Sequence, residues 1–286
     1  MILIGENLNI MSRTIGPAIR NMDKKPVQEL ARAEKAAGMD YLDLNLGPAR
    51  KQGAELMEWL VNTVQEAVDL PLFLDTMNPE AIEAGLKACR RKPVINSISL
   101  KPQMLDALLP LVRKYECGFV GLLLGADGIP RDGGERGALA AEMLAKAAED
   151  GIPEDSIWFD PIVLPVSSQQ DQVLGCTEFM EMFRELAPSS KSTCGLSNVS
   201  NGVPAELRNI LNQTYMMMLQ KHGLSSAIVD AFDSELVAIA RGDREDLKNA
   251  VWSVMDGEEP AGSLDYVKTA KVLMGRSLYS HSWLKI

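Results

Sequence analysis

Carboxylate and amide side chains stand where short apolar stretches of this chain come to an end. A carboxylate accepts two parallel N–H bonds, and an amide both donates and accepts, so this set suits a ligand with several N–H donors and ring acceptors. Taken in chain order, the candidates are Glu6, Asn9, Asp43, Asn45, Asp75, Asn96, Asp160, Asn198 and Asp230.

Several kinds of chemistry are not indicated by these positions. No His, Cys or Lys is among them, so these positions lack the usual nucleophiles and bases of acyl transfer. No P-loop and no GxGxxG follows the first apolar stretch, which argues against nucleotide binding. The cysteines form no CxxC pair and have no His at ligand spacing, so we expect reduced thiols and no metal bound by the protein.

Composition limits the partners and the cellular compartment that we expect for this protein. The chain has 286 residues and a formal net charge of −10, and an acidic surface argues against a nucleic-acid partner. No stretch reaches the ~20 apolar residues of a membrane span. The opening MILIGENLNI lacks a positively charged region, so we interpret it as a strand and expect a cytoplasmic protein.

The elements that must position the candidates are short strand-like stretches alternating with longer stretches of helical period. The predicted strands cover residues 2–4, 41–44, 72–74, 94–95, 119–124, 157–159, 193–196 and 227–229. Predicted helices include residues 27–37, 102–115, 136–150 and 177–186, and one begins at Asn78 with Pro79 at its first position. Another opens at Pro204, and residues 244–284 supply the last helices.

Eight strand–helix units in one chain predict a closed (β/α)₈ barrel, a fold that needs roughly 250 residues. No linker rich in Pro, Gly and Ser divides the chain, so residues 1–286 are predicted to be a single domain. The candidates then converge at the carboxyl ends of the strands, where barrel enzymes place their sites. Any one Asp or Asn there is more often a cap or a turn residue, so the prediction depends on many coincident positions. A pterin presents the donor and acceptor pattern that such a set recognises.

Seven segments carry a resemblance to a known family. They are GENLN, YLDLNLGP, FLDTMN, VINS, GIP near Gly128, WFDPIVLP and GLSNVSNG, and the likeness extends over the whole chain. The sequence resembles the methyltetrahydrofolate:corrinoid protein methyltransferases, which belong to the pterin-binding methyltransferases. The resemblance implies a (β/α)₈ barrel, usually dimeric, that moves a methyl group between N5 of tetrahydrofolate and a corrinoid (cobalamin) on a partner protein.

The resemblance also assigns roles at matching positions. It implies that Asp75, Asn96 and Asp160 bind the pterin ring, and that Asn198 reaches N5 and stabilises the transition state there. Asn201 stands where the family often has Gln. The predicted pterin site is completed by Glu6, Asp43 and Asn45.

Two other functions stay open at this point. Dihydropteroate synthases share the pterin pocket but carry a Lys-containing loop after strand seven and an Arg-x-His near the end. This chain has GLSNVSNG and Gly275-Arg276-Ser277-Leu278 instead, so that branch is less favoured. The other alternative is a non-catalytic module that binds a pterin or a corrinoid.

Overall fold

The structure is a computed structural model that describes residues 1–48 and 52–285. Eight parallel strands form one sheet in the order β7-β6-β5-β4-β3-β2-β1-β8, which confirms the predicted (β/α)₈ barrel. The strands are β1 (Ile2–Gly5), β2 (Tyr41–Gly47), β3 (Leu72–Thr76), β4 (Val94–Ser99), β5 (Gly118–Leu122), β6 (Ile157–Asp160), β7 (Lys191–Ser192) and β8 (Ser226–Val229).

Helices follow the strands along the chain. Those described are α1 (Gly16–Arg20), α2 (Lys24–Ala36), α3 (Gly53–Ala67), α4 (Pro79–Ala88), α5 (Pro102–Tyr115), α6 (Gly133–Glu149), α7 (Gln170–Leu186), α8 (Ala205–Lys221), α9 (Ser234–Arg241), α10 (Glu245–Met255) and α11 (Leu264–Leu273). Asn78 caps α4 as predicted, because its Oδ1 accepts the backbone N–H of Glu80 at 3.0 Å. Within the described residues, no helix combines the length and apolar character needed to cross a membrane.

Several predicted boundaries are wrong. Helix α6 begins at Gly133 rather than residue 136, because Asp132 accepts the N–H of Glu135 and caps it. Helix α7 begins at Gln170 instead of residue 177, and helices α1 and α9 were not anticipated. Strand β5 ends at Leu122, two residues earlier than predicted.

Strand β7 departs most from its prediction, which placed it at residues 193–196. Its regular pairing covers Lys191 and Ser192, opposite Trp158 and Phe159 of β6. Beyond it the chain winds into a 3₁₀ helix, Leu196–Ser200. Residues 193–195 of the predicted strand keep only single backbone contacts to β6 and β8, and the chain leaves the sheet at Leu196.

The interior of the barrel is filled by an apolar floor. It consists of Ile4, Phe73, Val94, Val120, Trp158 and Ile228, with Ile2 and Tyr41 packed against them. The rings of Tyr41, Phe73 and Trp158 meet edge to face, with centroids 5.3–5.6 Å apart. Successive side chains of a strand alternate between its two faces. Residues two positions beyond the floor therefore also point into the barrel, one layer nearer the mouth.

Side chains close the barrel between β7 and β8, where a regular ladder is lacking. Ser225 and Ser226 both donate their hydroxyls to the carbonyl of Ser192, at 3.0 and 2.7 Å. Ser225 also accepts the Ser192 N–H at 2.9 Å, and the next backbone contact joins Ile228 N to Cys194 O at 2.9 Å. We call this junction, from Ser192 to Cys194 and from Ser225 to Ile228, the serine seam.

We expect Ser226→Ala to lower the free energy of unfolding by about 1–2 kcal/mol. Ser226 is fully buried, and its loss leaves the Ser192 carbonyl with one donor fewer at the seam. Urea denaturation measures the effect, with the exposed Ser189→Ala as the control. Equal stability of the two variants would show that the seam does not depend on this hydroxyl.

Candidate functional site

One cavity of about 920 Å³ opens at the carboxyl ends of the strands. Every residue of the predicted binding site lines it, although the sequence positions extend from the first strand to the turn after the seventh. The eight are Glu6, Asp43, Asn45, Asp75, Asn96, Asp160, Asn198 and Asn201. The barrel thus brings the candidates together, and their roles toward a ligand stay predictions.

The strand pleat positions the deepest residues of the cavity. Asp43, Asp75, Asn96 and Asp160 each follow a floor or floor-packed residue by two positions, on β2, β3, β4 and β6. Glu6 and Asp230 have the same relation to Ile4 and Ile228. The cavity is therefore apolar below and carboxylate-rich at its base, a division that the two-residue period of the strands produces.

Two carboxylates of the base are paired with amides from another strand, across β3 in one case and on the adjacent strand in the other. Asn96 donates from Nδ2 to Asp43 Oδ1 at 3.0 Å, and Asn45 donates from Nδ2 to Asp75 Oδ2. Burial raises the pKa of Asp75 to about 7. Burial also holds the pKa of Asp43 well above its usual range, and the nearby Asp75 raises it further. The base can therefore hold protons at neutral pH as well as accept hydrogen bonds.

Asp160 sits in a different environment on β6. Its Oδ1 accepts the backbone N–H of Ile162 at 2.8 Å. Burial raises its pKa to about 6, while the N–H groups of Ile162 and Gly195 and the charge of Arg136 oppose that rise. Asp160 is therefore mostly ionised at neutral pH and is suited to accept N–H bonds from a ligand.

The turn after β7 carries Asn198 at the cavity. The hydroxyl of Ser197 donates to Glu6 Oε1 at 2.7 Å, which ties the 3₁₀ helix to the end of β1. Asn201 donates from Nδ2 to Asn198 Oδ1 at 3.2 Å. Because the side-chain oxygen of Asn198 accepts this hydrogen bond, its side-chain amino group is the part that can donate to other partners. Asn201 therefore orients the Asn198 side chain.

Sequence reasoning missed Asn7, which links β1 to β8. Its Nδ2 donates to Asp230 Oδ1 at 2.9 Å, and its Oδ1 accepts the N–H of Ala231 at 3.0 Å. The available signal was its place inside GENLN, directly after Glu6. Arg208 was also missed. It is the one basic side chain among the described residues that line the cavity. Burial raises the pKa of Glu6, and the charge of Arg208 lowers it.

A buried acid on α2 supports this region from behind. Glu34 is fully buried, its Oε1 accepts the Asn7 N–H at 3.1 Å, and its Oε2 has no hydrogen-bond partner among the residues that the structure describes. A Cβ at Gly5 would lie 2.4 Å from Glu34 Oε1, so only glycine leaves room for this carboxyl group. Burial raises the pKa of Glu34 to about 8, with Asp230 and Glu6 adding to the rise.

The comparison with known families decides what kind of cavity this is. Residues 18–230 match the pterin binding enzymes. The chain belongs to the pterin binding enzyme family. A methylcorrinoid:tetrahydrofolate methyltransferase from Eubacterium limosum is 31% identical over 239 residues, which cover 83% of this chain and 88% of that protein. This relative confirms the resemblance to the methyltransferase branch, and the pterin binding enzyme described here is a methyltransferase.

Two further relatives are more distant. Methionine synthase from Mycobacterium tuberculosis is 26% identical over 242 residues, which cover 81% of this chain and 20% of that much longer protein. A dihydropteroate synthase from Xanthomonas albilineans, solved with 7,8-dihydropteroate, superimposes with a TM-score of 0.63 at 17% identity. It covers 85% of this chain and 93% of its own and supports the fold alone.

Metal binding has no evident site in the part of the chain that the structure describes. No group of three or more His, Cys, Asp and Glu side chains there is arranged to hold a metal ion. The cavity carboxylates instead contact amides, hydroxyls and backbone N–H groups.

We expect Glu34→Gln to flatten the pH dependence of stability. The pKa of Glu34 is raised to about 8, so the folded state holds a proton that the unfolded state has lost above about pH 4.5. The free energy of unfolding therefore falls as pH rises through this window, and an uncharged Gln removes that part of the fall.

The measurement is urea denaturation at about pH 5 and pH 8. The decrease between the two should be smaller in Glu34→Gln than in wild type, by on the order of 2 kcal/mol. Glu29→Gln, exposed on the same helix, is the control and should keep the wild-type decrease. A Glu34→Gln decrease as large as wild type would mean that Glu34 is ionised in the fold.

Proposed function

We propose that this protein moves a methyl group between N5 of tetrahydrofolate and the cobalt of a corrinoid carried by a partner protein. The observation that carries the proposal is the ring of carboxylates and amides on the apolar floor, with Asn198 presented beside it. The likeness to a methylcorrinoid:tetrahydrofolate methyltransferase over most of both chains supports the same reaction.

Pterin recognition follows from the chemistry of the cavity base. The amino-pyrimidine edge of a pterin offers adjacent N–H donors, which a carboxylate accepts in parallel. Asp160 is ionised near neutral pH and buried, so its bonds to such an edge form in a site with little competing water. Asp75 and Asn96 contact the ring beside it, and Asp43 and Asn45 hold these two in place through their hydrogen bonds.

The reacting nitrogen lies at the other edge of the ring. With the pyrimidine edge on the β3, β4 and β6 side, N5 faces the turn after β7, where Asn198 offers its amino group. Glu6 holds this turn through Ser197, and Asn201 holds the Asn198 carbonyl oxygen. The methyl group on N5 then points toward the open mouth.

The chain's own task is to stabilise charge at N5. When the N5–carbon bond breaks, its electron pair stays on the nitrogen. The amine is therefore a poor leaving group unless a hydrogen-bond donor stabilises the charge that develops on N5. The Asn198 amino group is that donor. The protonated carboxyl groups of the cavity base can supply a proton to N5. A reduced corrinoid supplies the electron pair that accepts the methyl group. In the opposite direction the nitrogen attacks and the same residues act in reverse.

The mouth also fits a large cofactor that arrives from outside. Met11 and Phe232 line the cavity and are 73% and 53% exposed, so the rim has apolar side chains next to the polar base. A corrin macrocycle has apolar faces that can pack against such side chains, and we place the corrinoid protein on this side of the barrel. A homodimer whose mouths stay open to that partner completes the proposal.

The first test is folate binding by Asp160→Ala. The buried carboxylate makes charged hydrogen bonds, so its loss should weaken tetrahydrofolate affinity roughly ten- to a hundredfold. Calorimetric titration measures the affinity, with the exposed Asp171→Asn as the control. Wild-type affinity in Asp160→Ala would remove Asp160 from the site, and condensation of p-aminobenzoate with a pterin diphosphate would favour a synthase instead.

The second test separates binding from catalysis at Asn198. A ground-state N5 gains little from one more donor, whereas the nitrogen of the transition state gains much. Asn198→Ala should therefore lose on the order of a hundredfold in kcat, with a smaller loss of methyltetrahydrofolate affinity. Asn198→Asp should retain part of the rate at low pH, where its acid form donates to N5.

Single-turnover methyl transfer with free cob(I)alamin, followed by absorbance in both directions, measures this rate. Asn209→Ala, exposed on α8, is the matched control. If Asn198→Ala raises only KM and leaves the single-turnover rate unchanged, Asn198 is a binding contact and not a catalytic residue.

A further inference from the structure

Arg136 is a fully buried cation without a carboxylate partner among the described residues. It lies on α6, and Nε donates to Pro161 O at 2.7 Å and Nη2 to Gln172 Oε1 at 2.9 Å. Nη1 donates to Asp132 O at 3.1 Å and, more weakly, to Pro130 O at 3.5 Å. A guanidinium stays charged in proteins and is costly to bury, so its place in the fold calls for a reason.

The two helices around Arg136 are shaped to admit it. A Cβ at Gly175 of α7 would lie 2.8 Å from Arg136 Nη1. A Cβ at Gly133 of α6 would lie 2.6 Å from Glu178 Cβ, so the helices approach closely beside the guanidinium. Glycine at position 175 therefore leaves room for the guanidinium, and glycine at position 133 lets α6 and α7 approach each other beside it.

Arg136 holds the turn that carries Asp160. Ile162 has a φ of +64°, a left-handed conformation that β-branched residues rarely adopt. Three contacts keep the turn in this form: Arg136 on the Pro161 carbonyl, the Cys176 thiol on the Ile162 carbonyl at 3.0 Å, and the Ile162 N–H on Asp160. The geometry of the Asp160 carboxylate thus depends on the guanidinium behind it.

The charge of Arg136 also acts on Asp160. The groups that face this carboxylate are the N–H groups of Ile162 and Gly195, the thiols of Cys176 and Cys194, and Arg136. Burial raises the pKa of Cys176 to about 11 and that of Cys194 as well, so both thiols are neutral. Within the described residues, Arg136 is the cation that favours the ionised form of Asp160.

We infer that Arg136 is a positioning residue for pterin binding, which fixes the turn that carries Asp160 and places a buried positive charge behind its carboxylate. The inference rests on the proposed function in one respect, that Asp160 accepts N–H bonds from the pterin. The link between Arg136 and Asp160 stands on the structure and is measurable without a ligand.

Removing the charge should change the pH dependence of binding. Without Arg136, the pKa of Asp160 rises above its value of about 6, so less of the carboxylate is ionised at pH 7. Tetrahydrofolate binding by Arg136→Gln should weaken by a few-fold, most strongly at about pH 6, and recover by about pH 9. A purely structural loss would weaken binding by the same factor at every pH.

The experiment pairs two readouts on the same variants. The Asp160 carboxyl is titrated by NMR with ¹³C-labelled aspartate, its signal identified by its absence in Asp160→Asn. Tetrahydrofolate affinity is measured by calorimetry between about pH 6 and pH 9. Arg136→Gln removes the charge, Arg136→Lys keeps the charge but loses the planar fork, and Arg131→Gln removes an exposed charge at the start of the same region.

We expect an alkaline shift of both curves in Arg136→Gln, an unshifted Asp160 titration with uniformly weaker binding in Arg136→Lys, and wild-type behaviour in Arg131→Gln. If Arg136→Gln does not fold, adding Ile162→Gly relieves the left-handed turn, and the double variant should show the same alkaline shift. An Asp160 titration that coincides with wild type in Arg136→Gln, or in the double variant where that one is used, overturns the inference. Failure of the wild type to bind tetrahydrofolate would overturn the proposed function, while the NMR titration would still decide on Arg136.

Discussion

Carboxyl groups buried directly above an apolar floor set the conditions for the rest of this barrel. A carboxylate in such a place loses its hydration, so it must be protonated or must receive hydrogen bonds from the protein. Tyr41, Phe73 and Trp158 close the barrel below, and Asp43, Asp75 and Asp160 stand on the next inward-facing layer. Most of the hydrogen bonds around the mouth compensate these buried carboxyl groups for their lost hydration.

The carboxyl groups are stabilised by different partners, and these differences give them different protonation states. Asp43 and Asp75 receive amide N–H groups from side chains and retain raised pKa values, so they hold protons near neutral pH. Asp160 receives backbone N–H groups and the field of a buried guanidinium, so it remains mostly a carboxylate. One cavity thereby contains both a proton store and a hydrogen-bond acceptor, which a ligand with several N–H groups and one reacting nitrogen requires.

Much of this was accessible from the sequence, and the exceptions have physical causes. Strand ends are local features, so the period of the apolar stretches placed Asp43, Asp75, Asn96 and Asp160 on one rim, and the shared motifs added Asn201. Strand β7 was misplaced because its ladder residues, Lys191 and Ser192, are polar, and the residues after them make only isolated contacts to the sheet before the 3₁₀ helix. Glu34 and Arg136 were missed because they lie on helices, where a charged residue is ordinarily solvent-exposed; their burial depends on distant glycines, Gly5 and Gly175, which no local pattern reveals.

The barrel keeps paired strands beneath the proposed recognition residues and loses the ladder beside the residue that is proposed to act on N5. Strands β2 to β6 supply the base of the cavity and stay paired, with register shifts between Asn45 and Gly47 and between Ile95 and Ile98. Around β7 the ladder gives way to the serine seam and a 3₁₀ helix, so the backbone there turns inward and carries Asn198 toward the cavity. A continuous strand would have pointed alternate side chains at the floor and away from it, and could not have presented consecutive residues Ser197 and Asn198 to the same cavity. Loss of regular pairing at this junction is therefore the structural condition for the proposed placement of a donor at the edge of a bound pterin.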